Sequence, residues 1–353
     1  MTASRSSVTG RSSGSIGSVG SVGAVGSVGL DFDDAELEAS VRDGLESVEI
    51  ALLASVRSDD EFIGEVAKHL VDAGGKRFRP LLSLLAAHFG EPHSDEVTMA
   101  AVVCELTHLA TLYHDDVMDE ARIRRGADSA NARWGNSVAI LTGDFLFARA
   151  SDILADLGPE AVRIQARTFE RLVTGQIRET VGPKPGIDPI DHYLAVLSEK
   201  TGSLIATSAE FGARFAGVDE HGVESLRAYG EQIGVAFQIS DDILDIASET
   251  GQSGKTPGTD LREGVQTLPA LYALRDSSAS GARLRDLIGR PLTDDVEHAE
   301  ALGLLRSSEA IAQARETTLA YADSARAALS ALPDVPARAA LEALTDLVVV
   351  RTG

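Results

Sequence analysis

From about residue 35 onward, apolar positions recur at three- and four-residue spacing, as in LEASVRDGLESVEIALLASV, FIGEVAKHLVDAG and VTMAAVVCELTHLATLYHDDVMDEA. That period gathers them on one face of a helix rather than on alternate sides of a strand. Turn-forming residues interrupt it at Gly74-Gly75, Gly90-Glu91-Pro92, Arg125-Gly126, Gly158-Pro159, the GPKPGIDP stretch at 182–189, Gly217, the segment 249–259 and Leu332-Pro333. The runs between these breaks are roughly ten to thirty residues long, and none alternates with a period of two between hairpin residues. The pattern predicts an all-α fold: one large domain of about a dozen helices over residues 31–353, with long helices at its centre.

Residues 1–30 break the pattern. The tract MTASRSSVTGRSSGSIGSVGSVGAVGSVG repeats Gly-Ser-Val. Its glycines are costly to order and its small side chains bury little, so a disordered tail is expected there.

Charge narrows the possible partners. With 54 acidic against 32 basic residues, the net charge of −22 argues against a surface that grips nucleic acid or an anionic membrane. The one cysteine, Cys104, has no partner for a disulfide, which suits a reducing cytoplasm. No apolar run reaches the length that spans a bilayer, so membrane contact is expected only at the periphery, through a product or partner.

Against that background, two acidic clusters stand out. Asp115-Asp116-Val-Met-Asp119 ends a long apolar run, and Asp241-Asp242-Ile-Leu-Asp245 lies inside another, GVAFQISDDILDIA. At helical spacing the first and third aspartates of each set share a face one turn apart, with the second beside them. Such carboxylates repel one another, and hard oxygen ligands in sets of this kind suit Mg²⁺ bridging to phosphate. A solvated acidic face would not be flanked by Val235, Ala236, Phe237, Ile239, Ile243 and Leu244.

The scarce cations also cluster. Gly74-Gly75-Lys76-Arg77-Phe78-Arg79-Pro80 sets three of them at a helix start, where free N–H groups already favour an anion. Arg124-Arg125-Gly126 follows the first acidic cluster, and Lys200 and Lys255 stand beside small residues. His108 precedes Asp115 by seven residues, about 10 Å along a helix on the same face.

Taken in order, GGKRFRP, ELTHLATLYHDDVMDEARIRRG, LTGDFLFARA, EKTGSL, FQISDDILD and GKTPGTDLREGVQTLP resemble the motifs of the trans-isoprenyl diphosphate synthases, the polyprenyl synthetase family. The resemblance runs from about residue 60 to the C-terminus. It implies a helical bundle around a central cavity, a homodimer, and three Mg²⁺ held by Asp115, Asp116, Asp119, Asp241, Asp242 and Asp245. Arg124, Lys200 and Lys255 would contact an allylic diphosphate. Lys76, Arg79, His108 and Arg125 would hold isopentenyl diphosphate, with Gln238 and Thr201 at the positions of the family's glutamine and threonine. The aspartates and Lys200 would carry catalysis, and no protein nucleophile is needed. Val265-Gln266 departs from the lysine that many relatives have before the TLP segment.

Product length is read from the residues upstream of Asp115. Ala110, Thr111, Thr107 and Cys104, and beyond them Ala100 and Ala101, are all small, so no bulky side chain stops a growing tail early. The expected product is a long chain, of the kind used as a menaquinone side chain, with geranylgeranyl diphosphate as the alternative. Phe145 or Phe147 is a candidate cavity floor. A terpene cyclase would lack GGKRFRP, a regulatory subunit of a heteromeric synthase would have lost metal carboxylates, and no EF-hand loop supports a calcium-binding protein.

Overall fold

The computed structural model describes residues 32–247 and 257–351, so the N-terminal tract and Lys255 lie outside the described residues. The described chain is a succession of helices, beginning with α1 (Ala35–Ser55), α2 (Glu61–Asp72), α3 (Phe78–Ala87) and α4 (Asp95–Met118). After a small hairpin come α5 (Ala130–Trp134), α6 (Asn136–Leu157), α7 (Pro159–Val181), α8 (Pro189–Leu197), a π-helical turn Ser198–Gly202, α9 (Ser203–Phe215) and α10 (Glu220–Ala247). The remainder is α11 (Thr259–Glu263), α12 (Leu268–Arg275), α13 (Ala279–Leu287), α14 (Asp295–Arg306), α15 (Glu309–Leu329) and α16 (Pro336–Val350). No described helix is long and apolar enough to cross a membrane.

Apart from the expected break at 249–259, most of which lies outside the described residues, helices end at each expected break, for local reasons. Ser94 Oγ accepts from Val97 N at 3.2 Å and starts α4, with Asp95 and Glu96 in the first turn opposing the helix dipole. Gly158 ends α6 and Pro159 opens α7, where the missing N–H costs nothing. One element departs from the all-helical expectation. Strands β1 (Ile123–Arg124) and β2 (Ala127–Asp128) pair antiparallel, with Arg124 opposite Ala127. Arg125 and Gly126 turn between them at φ 54° and 79°, the left-handed pair of a tight hairpin. Strands this short leave no alternation to detect.

α4 and α10, which carry the aspartate clusters, lie in the middle of the bundle. α4 packs on α6, α9, α3 and α1, and α10 on α15, α9 and α16, so α9 stands between them. Every residue of α9 from Ser203 to Ala213 is buried. Small side chains make that position possible. A Cβ at Gly212 would lie 1.9 Å from the Ser83 carbonyl oxygen of α3, and one at Gly230 of α10 would lie 2.8 Å from Ala206 Cα. α9 thus meets α3 and α10 at backbone contact, which seats α10, one of the two aspartate helices, tightly against it. Gly212→Ala is therefore expected to force α3 and α9 apart and to cost ~3 kcal/mol, read as a lower denaturant midpoint. An unchanged midpoint would mean that this contact is loose.

Candidate active site

The cationic end of the site is built from three separate stretches. Gly74 (φ 81°) and Gly75 (φ 150°) carry the chain from α2 towards α3, and Arg77 at φ 50° precedes the first turn of α3. Arg77 holds Glu49 of α1 with both arms, at 2.8 and 3.0 Å, and reaches Glu105 of α4 at 3.1 Å. It is thus a brace, and its neighbours are left for other work. Arg125, at the hairpin turn, donates to the carbonyls of Leu70 (3.1 Å) and Gly74, and stands 4.0 Å from Glu105. Arg79 Nε is buried with no partner among the described residues. Burial depresses the pKa of Arg79, and the nearby Arg125 adds to the effect. Lys76 is exposed, its Nζ 5.8 Å from the Phe237 ring of α10.

His108 faces this group. Burial, followed by Arg79, Arg125, Arg124 and Arg77, pushes its imidazole well below the ordinary histidine range. It is therefore neutral at pH 7, able to donate an N–H without adding charge.

The first acidic cluster closes α4. Burial raises the pKa of Asp115, with Lys200 opposing the shift and Asp119 adding to it. Asp119 caps the helix and is exposed. Asp116 points the other way: it is wholly buried, its Oδ1 accepts from Arg124 Nε at 2.6 Å, and its Oδ2 has no partner among the described residues. Burial raises its pKa too, against the pull of Arg124. Lys200 and Thr201 lie in the π-helical turn before α9, seated on Gly175 of α7, where a Cβ would lie 2.6 Å from Lys200 N. Lys200 Nζ is 2.5 Å from Glu179 Oε2. A π-turn widens a helix and rotates its side chains, and such turns gather at functional sites.

The second cluster lies on α10. Asp241 Oδ1 pairs with Arg351, just after α16, at 2.7 Å, and the Arg351 guanidinium also lies 5.0 Å from the Phe237 ring. Asp242 is buried, bonded to the Tyr193 hydroxyl of α8 and to Gln238 Nε2 at 3.1 Å. Burial, opposed by those two bonds and reinforced by Asp260 and Asp241, lifts its pKa to about 8. Asp245 accepts from Thr259 N and Asp260 N, both at 3.2 Å, and so caps α11. Among the described residues these carboxylates form no ready-made ligand set of three.

Of the residues beside the predicted tail path, Cys104, Thr107 and Ala110 are fully buried and Thr111 is partly so. Phe147 packs against Phe169 of α7 (4.5 Å between centroids) and His114 (5.8 Å), whereas Phe145 lies under Arg149. Sequence reasoning did not name Glu49, Glu105, Glu179, Tyr193 or Arg351. Glu105 carries the same signal as the aspartates, a lone carboxylate in the apolar run AVVCELTHLA; the others have no local signature.

Known proteins place this arrangement. Residues 60–305 match the model of the Polyprenyl synthetase family. The chain is 54% identical over 325 residues to nonaprenyl diphosphate synthase of Mycobacterium tuberculosis (strain ATCC 25618 / H37Rv), covering 92% of this chain and 97% of that one. It is 40% identical to heptaprenyl diphosphate synthase component 2 of Geobacillus stearothermophilus, over 86% of this chain and 94% of that one. In three dimensions it is similar to geranylgeranyl pyrophosphate synthase from Corynebacterium glutamicum, a structure complexed with calcium and isoprenyl diphosphate. The TM-score there is 0.84 at 50% identity, covering 92% of this chain and 100% of that one. With the motifs in order, the helical fold and these similarities in agreement, the chain belongs to the polyprenyl synthetase family.

Proposed function

We propose that this protein condenses isopentenyl diphosphate repeatedly with an allylic diphosphate, in the head-to-tail (E) sense, to give a long-chain polyprenyl diphosphate for a menaquinone side chain. The observation that carries this reading is a cationic cluster with an unpartnered Arg79 beside a neutral His108 on α4, the helix that ends in Asp115 and Asp119. The 54% identity to a nonaprenyl diphosphate synthase supports the long product. The 50% identity to a geranylgeranyl pyrophosphate synthase keeps that shorter product as the second reading.

The acidic residues fit a divalent ion. Asp242, held to about 8, and Asp115, raised by burial and Asp119, are carboxylates whose charge lacks full compensation. Hard oxygen donors in that condition favour Mg²⁺, with substrate phosphates completing the shell. Asp115, Asp116, Asp119, Asp241, Asp242 and Asp245 would hold it; without metal, Asp116 pairs with Arg124 and Asp245 accepts from the first N–H groups of α11. Mg²⁺ supplies, when bound, neutralisation of the diphosphate that leaves. The protein's own groups do the rest. Lys76, Arg79, His108 and Arg125 grip isopentenyl diphosphate, and Arg124, Lys200 and Lys255 bind the allylic diphosphate, while Gln238 orients Asp242. These fixed donors stabilise charge on the departing oxygen as the allylic C–O bond breaks. The alkene carbon then forms the new C–C bond, and a proton passes to the departed diphosphate.

The protein is expected to act in the cytoplasm as a homodimer. Exposed Ile140 and Leu141 on α6 and Val173, Ile177 and Val181 on α7 offer an apolar face for a second copy. Leu141→Lys with Ile177→Lys should convert a dimer to a monomer by analytical ultracentrifugation; a wild-type monomer would refute the assignment.

The central test is a product assay with Mg²⁺, labelled isopentenyl diphosphate and geranyl, farnesyl or geranylgeranyl diphosphate in turn. Polyprenols of about seven to ten units are expected after dephosphorylation, and Asp115→Asn is expected to lower turnover at least ~100-fold. A stop at four units would assign geranylgeranyl diphosphate synthesis. No elongation with any primer would leave the chain as one component of a heteromeric synthase.

The raised Asp242 also predicts a pH response. Its folded value of about 8 exceeds the ordinary 3.8, so between those values the native state holds a proton that the unfolded chain releases. Stability of the metal-free protein should therefore fall as pH rises from about 4 to about 8. Thermal unfolding in chelator should show that slope, and Asp242→Asn should flatten it. Equal slopes would place the titration elsewhere.

A further inference from the structure

Below the diphosphate end, Thr107 lies eight residues upstream of Asp115 on α4, ~12 Å along the helix axis. Opposite it stands Gln165 on α7, ten residues before Gly175, the glycine that seats Lys200. Gln165 shares the buried face of α7 with Ala161, Ile164, Thr168, Leu172 and Gly175. Its Nε2 donates to Thr107 Oγ1 at 2.8 Å, and the Thr107 hydroxyl donates in turn to the Val103 carbonyl at 2.8 Å. The Oε1 of the same amide is buried with no partner among the described residues. Cys104 and Ala110, three residues either side of Thr107 on α4, and Ile164 beside Gln165 belong to one buried apolar cluster. A half-satisfied amide in such a place costs stability and needs a reason to be there.

We propose that Gln165 determines product length: its hydrogen bond to Thr107 closes the path along α4, and a growing prenyl tail must displace it to pass. This rests on the reading that the tail runs beside α4 below Asp115. When hydrocarbon enters, Thr107 keeps its bond to Val103, but Gln165 loses its one partner and gains none. The disfavoured step therefore falls at the depth of a farnesyl-sized tail. Short intermediates collect there relative to finished product.

The experiment uses the full chain, Mg²⁺, farnesyl diphosphate and labelled isopentenyl diphosphate, and reads the ratio of geranylgeranyl-length to longest product, with melting temperature alongside. Gln165→Leu keeps the volume and removes the amide, and should lower that ratio by about tenfold. Thr107→Val, which removes the partner hydroxyl, should act in the same direction, and the double variant should add nothing. If Gln165→Leu does not fold, Thr107→Val gives the answer alone. Lower melting temperatures with an unchanged ratio would reduce the bridge to a brace between helices and overturn the proposal. Thr107→Phe separates the two layers. Shortened products from it, with no effect of Gln165→Leu or Thr107→Val, would keep the tail path and reject Gln165. Lengths unchanged by Thr107→Phe would reject the path and the proposal with it, and no elongation by the wild type would reject the synthase reading and the proposal together.

Discussion

Arg77, Arg79, Arg124 and Arg125 crowd one end of the site in a chain whose net charge is −22, and Glu105 lets them share it. Its carboxylate is 2% exposed, 3.1 Å from Arg77 and 4.0 Å from Arg125. In that position it offsets repulsion that water cannot screen. Because Arg77 is also held by Glu49, one guanidinium is fully committed to structure, whereas the buried Nε of Arg79 has no partner among the described residues. Burial first, and then the same crowding, depresses the imidazole of His108. Glu105 thus offsets charge at this end alongside Glu49, the Leu70 and Gly74 carbonyls that hold Arg125, and the Asp116 that holds Arg124.

The acidic end has a different basis. Its aspartates sit on two helices that both pack on α9, and α10 meets α9 at backbone contact. A side chain at a helix crossing can change rotamer under load, whereas backbone against backbone cannot.

The fold was legible in the sequence because helical periodicity and glycine or proline breaks are local, and α1, α2, α4 and α10 lie where the apolar runs put them. The hairpin at Arg124 was not, since two-residue strands carry no pattern. In the site, the aspartates and arginines were visible as rare charge in apolar or glycine-rich surroundings. Their partners were not, because contacts such as Tyr193 with Asp242 or Arg351 with Asp241 join residues far apart in the chain. Roles within a motif were equally hidden. Asp245 caps a helix and Asp116 holds an arginine, although spacing alone makes each equivalent to its neighbours.

If Asp241 helps to hold a divalent ion, as proposed, its pairing with Arg351 would act as a filter for ions. Whatever arrives at that carboxylate must evict a guanidinium that is already hydrogen-bonded and stacked on Phe237. Sodium or potassium brings no more charge than the group it displaces, and so gains little from the exchange. A doubly charged ion brings twice as much. On that proposal, discrimination between abundant monovalent and scarce divalent cations would begin in the metal-free protein, before any substrate has entered.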